Sequence, residues 1–281
     1  MPEQKIGLGD TVWYTTMSKQ KVDDTESRWE RTTKTSDWHF DPMQKTEDIL
    51  PVCQFTGDWK DIVDECKQVA YRHSHGGGQG RDNAIKKLNE MLEQQEPGSS
   101  EYKNTQEQLK NIDKITDEDQ LDWIKVGADP DTTMFDRANT DDLKYPQFLN
   151  MVNYLGLQHA EIKFHNQKPS NNVIMHIDDF TGRKNPENKD TPVSTYENTQ
   201  IIQRFFIFLD DYKIGQLMQF GNTNIHQWKS GYCFTWEWKD IPHGTANVGY
   251  HDRPILVITG WVTDQTKKIL QQASFNTKIG V

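Results

Sequence analysis

The chain has 281 residues, a mass of 32.8 kDa and a formal net charge of −10, because 42 acidic residues outweigh 32 basic ones. So acidic a composition excludes the clustered Lys/Arg surface typical of proteins that bind nucleic-acid phosphates. The mean hydropathy of −0.87 is polar, but 9 Trp, 12 Phe and 9 Tyr are too many aromatic residues for a disordered chain. We therefore expect a folded core with long polar insertions.

The three cysteines, Cys53, Cys66 and Cys233, are widely spaced. This pattern predicts neither a disulfide framework nor a zinc ribbon. The sequence shows no secretory signal pattern and no run of about 18 apolar residues. We therefore expect a soluble cytoplasmic protein in a reducing compartment, with neither a membrane nor a nucleic acid as its partner.

The first half of the sequence is predicted to be helical after a polar segment that ends near residue 50. We expect that segment to wrap a core rather than to form one. Apolar residues that recur every three and four positions predict the helices that follow. Their ranges are 58–72, 82–95, about 99–115, a short helix that begins near Thr116, and 146–156, where Pro146 and Gly156 mark the two ends.

After residue 160 the apolar spacing changes to a period of two, which is typical of β-strands. Short strands separated by turn-rich segments, such as Thr181–Thr199, favour a sandwich or jelly roll over alternating βαβ units. We expect an α+β, mainly β chain that forms a single domain, with residues 1–160 bracing a β core at 161–265. The strands are predicted at 172–178, 201–209, 216–220, 232–238 and 254–262.

Three His-x-acid triplets are candidate metal-binding pairs. They start at His39, His159 and His176, and only the third ends an apolar run. A strand would place His176 and Asp178 on the same face, where both can reach one metal ion. With His243 downstream, the set becomes two imidazoles and one carboxylate, which is the ligand set of non-haem Fe(II) oxygenases.

Arg253 follows His243 by ten residues and shares a predicted strand face with Val257 and Thr259. A guanidinium fork suits a carboxylate bound through both oxygens. Arg204 is a candidate for contact with a bound cosubstrate or with an acidic group of the substrate, and Thr245 and Thr259 are candidates for the lining of the same pocket. Other interpretations stay open: His176, Asp178 and His243 as surface residues, Arg253 in a structural salt bridge, and Arg204 on the exterior.

The motif His176-x-Asp178, followed by His243 in a Pro-His-Gly-Thr-x-Asn setting and by Arg253, resembles the Fe(II)/2-oxoglutarate-dependent dioxygenases over about residues 172–262. Within them it is most similar to prolyl and aspartyl/asparaginyl hydroxylase-like members, including phage-type ones. The resemblance implies a double-stranded β-helix of the jelly-roll/cupin type. It implies Fe(II) bound by the triplet and His243, 2-oxoglutarate held by Arg253, and O2 as the second cosubstrate.

The implied reaction is hydroxylation of an amino acid, a peptidyl residue or a small metabolite, with release of succinate and CO2. Two other classes remain open. One is a non-catalytic jelly-roll binding protein, against which the full ligand set argues. The other is a metal-dependent cupin enzyme that does not use 2-oxoglutarate, such as an isomerase or an extradiol-type dioxygenase, against which Arg253 argues. We expect the N-terminal half and the Thr181–Thr199 segment to select the substrate.

Overall fold

The computed structural model describes residues 49–74, 79–112, 132–178, 180, 202–221, 223–225, 227–238 and 241–281. These residues form two compact units. The larger contains the described residues up to Ala70 and from Arg137 onward, and the smaller spans Tyr71–Asp136. The expected wrapping segment before residue 49, the helix near Thr116 and the Thr181–Thr199 segment lie outside the described residues. The expectation of a single domain stays a prediction.

The described residues contain twelve strands and five α-helices. The strands are β1 (Leu50–Thr56), β2 (Tyr71–Ser74), β3 (Thr133–Asn139), β4 (Gln158–Gln167), β5 (Asn172–His176), β6 (Ile202–Phe208), β7 (Gln216–Phe220), β8 (Thr223–Ile225), β9 (Tyr232–Thr235), β10 (His243–Asn247), β11 (Arg253–Trp261) and β12 (Lys278–Gly280). The helices are α1 (Lys60–Val69), α2 (Gln79–Gln94), α3 (Ser100–Ile112), α4 (Pro146–Leu155) and α5 (Asp264–Gln271).

Most predicted helices are confirmed, and one prediction ran too far. Pro146 occupies the first turn of α4, and Gly156 ends it with a left-handed φ of 68°. The helix predicted over 58–72 ends at Val69, because the next residues form β2 beside β3. There Arg72 donates a hydrogen bond from Nε to Thr133 Oγ1 at 2.7 Å, so a cross-strand contact replaces the last helical turn.

The larger unit is built on two sheets. One contains the strands β12-β1-β9-β6-β11-β4 in that spatial order, and the other contains β5-β10-β7-β8. The neighbours with a described register are antiparallel, except β1 and β12, which are parallel. From β4 to β11 the chain passes repeatedly from one sheet to the other. The predicted mainly β architecture is confirmed.

The two faces of the large sheet bury different cores, since successive side chains of a strand point to opposite faces. The helix-side face includes Phe205 and Leu256, which pack with residues of α1, α4 and α5 such as Cys66, Phe148 and Leu270. The inter-sheet face carries residues that pack against Met218 and Phe220 of the small sheet, namely Phe206, Phe208, Phe234, Ile255 and Val257. Helices α1, α4 and α5 thus cover this face of the sheet; α1 and α4 belong to the N-terminal part from which supporting helices were expected, and α5 follows the β core.

The predicted strands are confirmed, and two of them end two or more residues earlier than predicted. The strand predicted at 172–178 ends at His176, and the one predicted at 232–238 ends at Thr235. Trp236 and Trp238 still pack in the inter-sheet core, so this aromatic segment contributes to the core. Among the helices of the described ranges, none has the length and apolar character needed to cross a membrane.

Candidate metal centre

The structure brings His176, Asp178 and His243 together. One nitrogen of each imidazole and one carboxylate oxygen lie within 4.8 Å of one another, and all three residues are buried. His176 Nε2 is 3.8 Å from Asp178 Oδ1, and His243 Nε2 is 3.8 Å from Asp178 Oδ2. Three converging nitrogen and oxygen donors form a group that could hold a divalent transition metal.

The two histidines converge because β5 and β10 are antiparallel neighbours in which His176 and His243 are register partners. Their ring centroids are 4.3 Å apart. His176 Nδ1 lies 2.9 Å from the carbonyl oxygen of Ile174. A carbonyl can only accept, so Nδ1 is the donor in this contact, and in the neutral ring the lone pair is then on Nε2, the nitrogen that faces Asp178. This backbone contact fixes the tautomer that a metal ligand needs.

His243 is packed into an aromatic wall. Its ring is parallel to that of Phe220 at a centroid distance of 5.3 Å, and Trp236 and Phe206 lie at 4.9 Å and 6.4 Å. These side chains belong to the inter-sheet core. They hold the imidazole in place and keep water away from one side of the cluster, which lowers the local dielectric and strengthens electrostatic interactions there.

Asp178 corrects one sequence expectation. Because β5 ends at His176, the pair is not carried by one regular strand, and Asp178 reaches the cluster from the segment that follows. Asp178 is 5% exposed. Its Oδ2 accepts a hydrogen bond from Arg204 Nη1 at 2.8 Å. That ion pair satisfies Oδ2 and directs the carboxylate toward the histidines.

Arg204 shares a face of β6 with Phe206 and Phe208, as its spacing predicts, and that face is the inter-sheet one and not the exterior one left open by the sequence. Its Nε donates to Thr259 Oγ1 at 3.0 Å, and its guanidinium carbon lies 4.4 Å above the ring of Phe180. Arg204 and Thr259 therefore lie beside the candidate metal ligands. Arg253 lies at the opposite end of the space between the two sheets, which we call the interior. Thr259 is buried and orients Arg204.

Arg253 begins β11 on the same inter-sheet face and is 3% exposed. Its Nη1 donates to the carbonyl oxygen of Leu217 in the small sheet at 2.7 Å, while Nε has no hydrogen-bond partner among the described residues. No carboxylate of the described residues forms a salt bridge with it. Burial lowers the pKa of this guanidinium to about 9. The expected alternative, a structural salt bridge, is therefore not what the described residues form.

Thr245 lies on β10 between the two ends of this interior. Its Oγ1 accepts a hydrogen bond from Gln167 Nε2 at 2.9 Å, a contact that links the two sheets. Gln167 is the register partner of Arg253 on β4. The Thr245 hydroxyl therefore belongs to a polar layer beside Arg253.

Neither of the other two triplets adds a second candidate metal site among the described residues. His39 and Asp41 lie outside the described residues, and His159 is exposed at the start of β4. Sequence reasoning missed β4 itself, whose inter-sheet residues include Lys163 and Gln167. The alternation of Ile162 and Phe164 with polar neighbours was the available signal for that strand.

No protein-family model and no curated protein matches the sequence. Solved structures that resemble the chain include the non-heme alpha ketoglutarate dependent epimerase SnoN from nogalamycin biosynthesis, at 10% identity and a TM-score of 0.33, covering 71% of this chain and 80% of that one. A Cupin 2 conserved barrel domain protein from Salinispora arenicola matches at 9% identity and a TM-score of 0.27, covering 49% and 84%. A protein described as a predicted oxalate decarboxylase, from Thermotoga maritima, matches at 12% identity and a TM-score of 0.27, covering 45% and 80%. Because these scores are low, the function of this chain is inferred from its own site.

Proposed function

We propose that strands β4–β11 form a double-stranded β-helix and that this protein is an Fe(II)- and 2-oxoglutarate-dependent dioxygenase. The strand order supports the first part. Four of the eight strands lie in the order β4-β11-β6-β9 and the other four in the order β5-β10-β7-β8. Two stacked four-stranded layers connected in this way correspond to a jelly roll.

The donor set of the candidate metal centre fits Fe(II). Two neutral imidazoles and one carboxylate are the ligands that non-haem iron oxygenases use, and they leave coordination positions open for a cosubstrate and O2. No cysteine takes part, which disfavours a structural zinc site. When bound, Fe(II) would couple the oxidative decarboxylation of 2-oxoglutarate by O2, giving succinate and CO2, to hydroxylation of the substrate.

The burial and incomplete hydrogen bonding of Arg253 are the observation that supports 2-oxoglutarate as the cosubstrate. A buried guanidinium with an unpaired Nε is costly unless an anion completes it. Its contact residue Leu217 is the register partner of Ala246, three residues along β10 from His243. That offset is about 10 Å along a strand, which a five-carbon dicarboxylate with its end contacts can bridge.

The chain's own residues then have distinct tasks. His176, Asp178 and His243 hold the metal, and Arg204 orients Asp178 through its 2.8 Å hydrogen bond. Arg253 binds the far carboxylate of the cosubstrate. The aromatic residues around His243 exclude water from the reacting centre, which limits turnover without substrate.

Anaerobic titration with Fe(II), followed by measurement of succinate, tests this proposal. We expect one equivalent of Fe(II) to bind the wild type, and His176→Ala and His243→Ala to bind it at least about 100-fold more weakly. Amino acids and peptides would then be screened in the presence of Fe(II), O2 and 2-oxoglutarate. We expect at least one of these compounds to stimulate succinate formation. The exposed Lys267→Met variant, far from these ligands in sequence, serves as the control.

Two results would replace the proposal. Fe(II) binding without any 2-oxoglutarate binding or succinate formation would favour a cupin enzyme that does not use 2-oxoglutarate. Wild-type Fe(II) affinity in both histidine variants would remove the metal centre and favour a binding protein.

A further inference from the structure

Lys163 is a cation inside the larger unit that the proposed mechanism does not use. It is the register partner of Val257 on the neighbouring strand β11. Register partners point to the same face of a sheet, and Val257 packs in the inter-sheet core. Lys163 therefore projects from the inter-sheet face, the face that also carries Arg204, and its side chain is 16% exposed.

Two arginines lie near Lys163. Arg204 is held by Asp178 and Thr259, and its Nη2 makes no hydrogen bond with the described residues. Arg137 precedes Ala138, which packs in the helix-side core, so the alternation of β3 turns Arg137 to the other face. Arg137 donates from Nε to Asn139 Oδ1 at 2.8 Å. We call Arg137, Lys163 and Arg204 the cationic strip.

The charges of the strip are not balanced by the described residues. Lys163 Nζ pairs with Glu161 Oε1 at 3.0 Å, and Arg204 pairs with Asp178. Arg137 has no carboxylate partner among the described residues. Asp178 is also a proposed metal ligand, and a divalent cation bound there would add further positive charge.

The strip is costly for the folded protein. Burial, together with repulsion from Arg204 and Arg137, lowers the pKa of Lys163 to about 8, although Glu161 acts in the opposite direction. Well-packed apolar side chains would serve stability as well or better at such positions. A ligand anion is the partner that would make three cations on one face of the sheet favourable.

We infer that the cationic strip binds an oxyanion of the prime substrate, a carboxylate or a phosphate, and so places that substrate beside the metal centre. This inference rests on the proposed function. It concerns a position different from Arg253, which lies at the other end of the inter-sheet interior. The unused Nη2 of Arg204 and the ammonium of Lys163 supply donors, and Arg137 adds charge.

Direct anion binding tests the strip without turnover. Acetate and inorganic phosphate would be titrated separately into the anaerobic Fe(II)-loaded protein and followed by NMR. We expect Lys163→Met and Arg137→Gln each to weaken the binding of at least one of them about tenfold. Lys163→Arg, which keeps the charge, should retain that binding, and Lys267→Met should not change it. Because Arg253 can itself bind either anion, Arg253→Met should remove that second site, and the effects of Lys163→Met and Arg137→Gln should persist in the Arg253→Met background, which separates the strip from the cosubstrate anchor.

Equal anion affinity in the wild type, Lys163→Met and Arg137→Gln would overturn the inference. So would a wild type that binds neither acetate nor phosphate. Should Lys163→Met not fold, Arg137→Gln and Lys163→Arg still decide the outcome.

A second arm compares amino acids that carry a free carboxylate with the matching amides as stimulants of succinate formation. We expect the carboxylates to be preferred by the wild type and the preference to be lost in Lys163→Met. Equal stimulation by both forms would overturn the inference while the proposed function stands. If the strip binds an anion but no compound stimulates succinate formation, the proposed function is contradicted while anion binding by the strip still holds.

Discussion

The two faces of the large sheet of the larger unit have opposite chemistry although the same strands form them. On β11, Leu256 and Ile258 belong to an apolar core beneath the helices. On the other face of the same strand, Arg253 and Thr259 are buried with hydrogen-bonded polar groups. The residues named on both faces are buried, so burial alone does not explain the difference.

This contrast teaches where stability and function are separated in the chain. Apolar side chains on the helix-side face gain free energy from leaving water. Cations on the inter-sheet face lose their hydration, and hydrogen bonds and charges of neighbouring groups compensate the lost free energy only in part. Natural proteins commonly retain such groups at functional sites at the expense of stability. Variants on each face should therefore change stability and ligand binding separately.

The largest effect on stability is expected on the helix-side face. Phe164 has no exposed surface there. Phe164→Ala should lower the free energy of unfolding by about 3–5 kcal/mol, because it removes apolar contact and leaves a cavity. Urea denaturation measures this loss, and Fe(II) affinity of the folded variant should stay within about threefold. A loss below about 1 kcal/mol would mean that this face is not the stabilising core.

On the inter-sheet face, Asp178→Ala should affect the metal far more than the fold. Removing one of three ligands should weaken Fe(II) binding at least about 100-fold and abolish hydroxylation. The far-UV circular dichroism of the metal-free variant should remain that of the wild type, since the residue lies outside the strands. Full activity in this variant would show that the carboxylate is not a required ligand.

Arg253 sharpens the contrast further. Arg253→Met should weaken 2-oxoglutarate binding at least about tenfold, because one partner of a charge-assisted contact is lost. The free energy of unfolding should be unchanged or higher, since a desolvated cation is replaced by an apolar side chain. Calorimetry and urea denaturation measure the two quantities. Arg253→Lys should restore the affinity only in part, because a point charge does not reproduce the guanidinium fork.

An unchanged 2-oxoglutarate affinity in Arg253→Met would place the anchor elsewhere, with Arg204 the next residue to test. A large loss of stability would instead identify the Arg253–Leu217 hydrogen bond as structural.

The smallest expected effect is a pH dependence of the cationic strip. The pKa of Lys163 is lowered to about 8 by burial and by Arg204 and Arg137, with Glu161 opposing. A lowered lysine pKa means that the charge is present below that value and is lost above it. Acetate affinity should therefore fall about tenfold between about pH 7 and pH 9, as the charged fraction falls. Lys163→Arg should abolish this change over the same range, and a persisting one would exclude Lys163 as its source.

Regular patterns explain what could be predicted from the sequence. The apolar alternation of β6 and β11 and the helical spacing of α4 are local signals, so these elements and the facing of Arg204 and Arg253 follow from them. The pairing of His176 with His243 depends on the register of two strands far apart in sequence. The ligand chemistry of the three side chains and the resemblance suggested this pairing, whereas no local spacing did.

Other features had weaker signals. β10 was not predicted, because Gly244 and Asn247 have low strand propensity and the strand is stabilised by two neighbours instead. β4 begins with polar residues, and so Lys163 and Gln167 were not recognised as interior side chains. The hydrogen bond from Arg204 to Asp178 joins residues from separate elements, which no local pattern reveals.

The central claim is that one dicarboxylate is held at both ends, by the metal of the His176–Asp178–His243 cluster and by Arg253. Calorimetric titration of 2-oxoglutarate into the anaerobic protein with and without Fe(II) tests it most directly, with glutarate as the analogue that lacks the keto oxygen. The account predicts that Fe(II) tightens 2-oxoglutarate binding at least about tenfold and glutarate binding far less, and that Asp178→Ala removes the difference. Equal 2-oxoglutarate affinity with and without Fe(II), or no binding at all, would contradict it.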